Sequence, residues 1–255
     1  MTGLAGGTDT LEHGAQVLDE LERLATVEHA LVVEYLSVCY ALGHDLEADE
    51  GGATTSQGRN AASAASILAL GDMIHLKRIS NVLVAAGRFA ELGRATSIPT
   101  SSASVPWAPP TATELQHLLE REEWIASAVD ALYMRLRHGL TSVTDLDSHV
   151  IDEVRAVVDD AATHATAVAA LRDSLGDLSP DDYLRATRRE AADPFEQRLL
   201  DLSDRIYGLI LASLQDRFAP RSPTGPGLAT SAMDTLHDAN RILVQRGLLP
   251  PFTLS

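Results

Sequence analysis

The chain is poor in cysteine, in aromatic residues and in long apolar runs. Its one cysteine, Cys39, excludes an internal disulfide and any metal site built on paired thiolates. Aromatic residues make up only 4% of the 255 residues, so Ala, Leu and Val must fill most of the core. No run reaches about 18 consecutive apolar residues, the length that a membrane-spanning helix needs. We therefore expect a soluble protein with closely packed helices.

Positive charge is scarce as well. The chain has 20 Lys and Arg residues against 36 Asp and Glu residues, which gives a formal net charge of −16. A surface this acidic repels phosphate backbones and anionic lipids, so we expect neither nucleic acid nor a membrane as a partner. Residues 1–10 lack the basic and apolar segments of a secretory signal, and we expect a cytoplasmic protein.

Apolar residues recur with the period of α-helices along most of the chain. The glycines Gly87, Gly139 and Gly176 are expected to end three of these helices. No segment shows the alternation of a β-strand. The pattern predicts helices over residues 11–42, 61–86, 114–138, 145–175, 194–218 and 230–246, with Thr111 or Thr113 as the cap of the third.

The order of these helices predicts an all-α fold. Helices one to four form a four-helix bundle over about residues 11–176, and a C-terminal helical extension follows over about residues 177–255. A long crossover, residues 88–110 with Trp107, joins helices two and three and could cover a pocket. We treat residues 1–255 as a single domain.

Carboxylates lie within the apolar stripes of helices one and three. On helix one Glu28 shares its stripe with Leu24 and Leu31, and on helix three Glu122 shares its stripe with Ile125. Burying a carboxylate is costly unless the charge is paired or binds a metal. One such residue would usually make an ordinary ion pair, so the case depends on whether other helices repeat the pattern.

Helices two and four each add a histidine to the pattern. Asp72 and His75 are three residues apart, so both project from one side of helix two. His164 lies on the stripe of helix four, and Asp160 flanks it. Carboxylates on four helices together with two histidines are how a bundle holds two iron or manganese ions. Oxygen and imidazole ligands suit these metals.

Two stretches of the sequence resemble a known family. Residues 26–42, TVEHALVVEYLSVCYAL, and residues 71–87, GDMIHLKRISNVLVAAG, resemble helices one and two of the ferritin-like superfamily. They are most similar to the branch of the ferritin-like domain of iminophenyl-pyruvate dimer synthase. The resemblance covers about residues 20–175. In helix one it is carried by Glu28, His29, Tyr35, Leu36 and Tyr40.

The resemblance implies a non-haem iron site, with manganese as the other candidate. Its metal ligands would be Glu28, Asp72, His75, Glu122 and His164. Two positions depart from the family pattern: Asp72 replaces a glutamate, and Ala161 falls where the glutamate of helix four is expected. Asp160 could replace that ligand or act as a base, so the site could be di-iron or mononuclear. Tyr35 is a further catalytic candidate, as a hydrogen-bond partner of the site, or a core residue.

Three functions remain open at this point. The first is a metal-dependent oxidoreductase that uses O₂ or peroxide on a small organic substrate in specialised metabolism. The alternative is a metal-independent cyclase or condensing enzyme whose acid–base groups occupy the same pocket. A storage or stress-protection protein is the third, which the extra helices disfavour. A homodimer is compatible with all three.

Other polar residues are expected outside the site. Glu34 is rotated about 120° from Glu28 on a helix of about 3.6 residues per turn, so we expect it at the surface or at a bundle edge. His29 is expected at the surface or between helices. The remaining histidines are expected on the surface: His13, His44, His117, His138, His149 and His237.

Overall fold

In a computed structural model, seven helices and one pair of short strands are present among the residues described. These residues are 11, 13–43, 56–95, 97–99, 104–106, 128–160, 164–176, 184–218 and 227–252. The strands are β1 (Ser97–Pro99) and β2 (Ser104–Pro106). The helices are α1 (Gly14–Ala41), α2 (Ser56–Ala85), α3 (128–139), α4 (Ser148–Asp160), α5 (His164–Leu175), α6 (Pro194–Phe218) and α7 (Gly227–Gln245). The all-α prediction is confirmed.

Helix α1 is the central element of the fold. Of its 28 residues 21 are buried, because α1 packs against other helices on two sides. One side joins the bundle core, which includes Leu21, Ile79, Leu136, Val154 and Leu171 from helices α1 to α5. By length and composition α1 could cross a membrane, but 89% of its most apolar window is buried inside the structure. That burial is typical of the core helix of a soluble protein.

The second side of α1 joins the extension core. This cluster combines Val33 and Tyr40 of α1 with Tyr207 and Ile210 of α6 and with Phe252. The Tyr40 and Phe252 rings stack with centroids 5.9 Å apart, and the Tyr207 ring meets Phe252 edge-on at 5.6 Å. The C-terminal helices therefore pack on the face of α1 that does not enter the bundle core.

Helices α6 and α7 pack against each other and anchor on α1 through polar contacts. Between them, the buried hydroxyl of Ser203 donates to Asn240 Oδ1 at 2.6 Å. The Nδ1 atom of His237, on α7, lies 3.1 Å from the Tyr40 hydroxyl. The expectation that His237 is an ordinary surface histidine is therefore wrong. His237 lies beside the apolar residues of α7, among them Leu236, that belong to the extension core.

The end of α2 follows the prediction and its start does not. Gly87 has φ = 76°, its N–H bonds the Val84 carbonyl, and the Arg88 N–H bonds the Leu83 carbonyl at 2.8 Å. This pair of bonds is the Schellman ending that glycine favours. The helix begins at Ser56, five residues before the predicted start, since polar residues there interrupt the apolar pattern but not the helix.

Gly139 has a different role from the one expected. The chain is helical through residue 139. A Cβ at Gly139 would lie 2.6 Å from the Leu11 Cβ, so glycine is needed for close approach rather than for a left-handed turn. Because Leu11 precedes α1 and Gly139 ends α3, the two helices run antiparallel. Arg135 of α3 donates to Glu20 of α1 at 2.6 Å along the same contact.

Two further segments differ from the expected helices. The helix predicted over residues 145–175 starts at Ser148, because the Asp147 carboxylate caps the His149 N–H at 2.8 Å. It appears as α4 and α5, with residues 161–163 outside the described part.

In the crossover, β1 and β2 pair antiparallel with Ile98 opposite Val105. The prediction of no strand is therefore wrong for these six residues. Trp107 lies outside the described residues.

Candidate metal centre

Three polar side chains meet in the interior between α1 and α2. Glu28 has 0% of its surface exposed, Asp72 1% and His75 7%. One ligand atom from each residue lies within 4.8 Å of the other two. His75 Nδ1 is 3.4 Å from Glu28 Oε2 and 3.9 Å from Asp72 Oδ1. The cluster thus brings two carboxylates and one imidazole to a common point.

The periodicity of α2 explains why these residues point inward. Leu68, Asp72, His75, Ile79 and Val82 are all buried and follow one stripe of the helix. Spacings of three and four residues place them on the face that packs against α1. The polar pair therefore occupies two positions of a stripe that is otherwise apolar. Glu28 meets it from the facing side of α1.

Tyr133 of α3 completes the described part of the cluster. Its hydroxyl donates to Glu28 Oε1 at 2.7 Å. Its ring meets the His75 ring edge-on, with centroids 6.2 Å apart. Burial, together with the negative charge of Glu28, raises the pKa of the Tyr133 phenol well above its usual value. The phenol is therefore protonated at neutral pH and available as a donor.

Sequence reasoning missed Tyr133, although a signal was present. Tyr133 follows Glu122 by eleven positions, which is about three turns of a helix with 3.6 residues per turn. The tyrosine therefore shares a helix face with a predicted ligand. Apolar periodicity identifies Val129, Leu132 and Leu136 as the inward positions of this helix, and Tyr133 follows Leu132 outside that stripe.

The structure does not describe three of the predicted site residues in full. Glu122 lies outside the described residues. Asp160 ends α4 and His164 begins α5, but their side chains are not among those described. Their roles as ligands or base stay predictions. Tyr35 has 0% of its surface exposed and lies in the bundle core, and its role as a hydrogen-bond partner of the site stays a prediction.

A second buried polar group lies on the extension side of α1. His29 has 5% of its surface exposed, and its Nε2 lies 3.1 Å from the Tyr207 hydroxyl. Burial lowers the pKa of His29 to about 4. The position of His29 between helices was one of the two expected. Glu34 has 1% of its surface exposed, so the prediction of a surface position is wrong, because α1 is enclosed on both sides.

The donor set at Glu28, Asp72 and His75 fits a divalent metal ion. Carboxylate oxygen and imidazole nitrogen are ligands that iron and manganese accept in proteins. Two carboxylates at this depth carry a cost of burial that a cation would offset. The three residues therefore match the chemistry of a metal site.

Comparisons with known proteins agree with this fold. Residues 21–135 match the family model described as Ferritin-like. A crystal structure of a ferritin like protein from Caulobacter vibrioides superposes with a TM-score of 0.69 at 13% identity. The match covers 93% of this chain and 97% of that one. Comparison with curated proteins gives no significant match.

These findings show the class of the fold. The fold is a ferritin-like helical bundle, and α1 and α2, which carry the cluster, lie within or across the matched residues. A ferritin-like fold with a buried Glu, Asp and His group supports a metal-associated function.

Proposed function

We propose that the protein is a non-haem iron oxidoreductase of the ferritin-like type, related to the branch of the iminophenyl-pyruvate dimer synthase domain. It would act on a small organic substrate with O₂ or peroxide, in the cytoplasm. One observation carries the proposal: ligand atoms of Glu28, Asp72 and His75 lie within 4.8 Å of one another in the interior.

Glu28, Asp72 and His75 would hold the iron. Iron bound there would supply the capacity to bind and reduce the oxidant, which protein side chains lack. The low exposure of all three residues excludes bulk water from the reacting atoms and strengthens their electrostatic interaction with a cation. Tyr133 holds a proton on its hydroxyl oxygen next to Glu28.

Further ligands would come from the third and fourth predicted helices, which correspond to α3 and to α4 with α5. We propose Glu122 and His164, with Asp160 as a replacement ligand or base and Tyr35 as a hydrogen-bond partner of the site. Supporting this, α3 runs antiparallel to α1 and reaches the cluster through Tyr133. With Ala161 at the expected glutamate position, either one or two ions per chain would fit the residue set.

The test is the metal content of purified protein and of a His75→Ala variant. We expect about one or two iron ions per chain in the wild type, and loss of most of this metal in the variant, because an imidazole ligand is removed. His149→Ala, which changes an exposed histidine of α4, is the control and should keep the wild-type content.

A second measurement tests the redox chemistry. Ferrous-loaded wild type should consume O₂ faster than the same concentration of ferrous iron in buffer, and His75→Ala should not. Iron contents far above two per chain would indicate storage instead. Wild-type protein that binds no iron under anaerobic loading would refute the proposal and favour metal-independent chemistry in the same pocket.

A further inference from the structure

Tyr133 contacts two members of the candidate metal cluster from a third helix. Its hydroxyl donates to Glu28 Oε1 at 2.7 Å, and its ring packs edge-on against His75. Tyr133 itself has 2% of its surface exposed. The contact therefore lies in the interior, where a hydrogen bond to a charged oxygen is stronger than in water.

The two oxygens of Glu28 face different partners. Oε1 accepts the Tyr133 hydroxyl, while Oε2 lies 3.4 Å from His75 Nδ1 on the side of the cluster. A glutamate side chain has several rotatable bonds, and ordering it has a cost in conformational entropy. A hydrogen bond that holds one oxygen lowers that cost before a cation arrives, since the second oxygen is already directed to the cluster.

We propose that Tyr133 is a positioning residue of the metal site: it fixes the Glu28 carboxylate so that Oε2 serves as the ligand oxygen. This inference rests on the proposed metal site. Tyr133 acts through Glu28 and does not itself bind the ion. Hydrogen-bond partners of ligands typically change metal affinity by about 10- to 100-fold when they are removed.

The experiment compares Tyr133→Phe with wild type in cobalt binding. Phenylalanine keeps the ring against His75 and removes only the hydroxyl. We expect the affinity for Co²⁺, measured by competition with a chromogenic chelator, to fall by about tenfold or more. The visible absorption of bound Co²⁺, which reports its coordination, should also change because Glu28 is no longer held in one orientation.

The matched control is Tyr207→Phe. It also removes a buried tyrosine hydroxyl that contacts a side chain, but the contact is to His29 on the extension side of α1. Its Co²⁺ affinity should stay within about twofold of wild type. Circular dichroism of the metal-depleted proteins verifies folding. If Tyr133→Phe does not fold, Tyr133→Met removes the hydroxyl while keeping apolar volume, and the same loss is expected.

The outcomes separate this inference from the proposed function. If wild type binds Co²⁺ and folded Tyr133→Phe binds it equally well, the positioning role is refuted and the metal site stands. A phenolate-to-metal absorption band in ferric wild type that is lost in Tyr133→Phe would refute it too, because Tyr133 would then be a ligand. If wild type binds no Co²⁺ or iron, both proposals fail together.

Discussion

Burial of His29 in neutral form makes stability depend on pH. The imidazole lies between α1 and α6 with 5% of its surface exposed, next to the Tyr207 hydroxyl. Burial disfavours the imidazolium and lowers the pKa of His29 to about 4 from an ordinary value of 6.5. In the unfolded chain His29 takes up a proton as the pH falls below 6.5, whereas the folded protein resists protonation until about pH 4. Stability is therefore lost between these two values.

The size of the effect follows from the two pKa values. A tenfold difference in proton affinity corresponds to about 1.4 kcal/mol. Linkage between protonation and folding then gives a loss of about 2 kcal/mol at pH 5 and about 3 kcal/mol at pH 4, relative to pH 7. This is a large part of the total stability of a typical domain, about 5–15 kcal/mol.

Urea unfolding of wild type and His29→Gln at several pH values isolates this contribution. Glutamine does not titrate, so the difference between the two free energies of unfolding cancels the effect of every other group. We expect wild type to lose about 3 kcal/mol more than His29→Gln between pH 7 and pH 4. If the free energies of unfolding of the two proteins changed equally with pH over this range, the burial of a neutral His29 would be refuted.

Two more substitutions test other features. Gly139→Ala places a Cβ 2.6 Å from that of Leu11 and should destabilise the protein by about 1–3 kcal/mol in urea unfolding. Gly71→Ala in α2, where nothing lies within 4 Å of the new Cβ, should stabilise it by up to about 1 kcal/mol; equal effects would refute the close-contact explanation. Ala161→Glu introduces a carboxylate at the position proposed for a fourth-helix ligand and should raise the iron content per chain in elemental analysis, whereas Ala161→Gln should raise it less. Unchanged content in Ala161→Glu would mean that position 161 does not reach the site.

Helices with one apolar face were predictable from the sequence. The stripe of α2 through Leu68, Asp72, His75 and Ile79 is buried as expected, since one side packs on α1 and the other meets solvent. A hydrophobic stripe then identifies the inward face directly. The Schellman ending at Gly87 was predictable for a similar reason, because glycine alone adopts positive φ without strain.

Helix α1 was harder because it has no solvent face over much of its length. Periodicity predicts the inward position of Glu28 but assigns Glu34 to the surface or a bundle edge, whereas Glu34 has only 1% of its surface exposed. Contacts between distant segments are not encoded in local spacing. Tyr133 on Glu28 joins residues 105 apart in the chain, and Leu11 against Gly139 likewise depends on tertiary packing.

The position of α1 between two apolar clusters also governs how the protein unfolds. Val33 and Tyr40 belong to the extension core, while Leu21 and Leu31 on the same helix belong to the bundle core. Release of α6 and α7 would leave apolar side chains of α1 in water while its other side stayed packed. Unfolding of either cluster would therefore reduce the stability of the other. We expect the helical structure to be lost in one cooperative transition rather than in two separate ones.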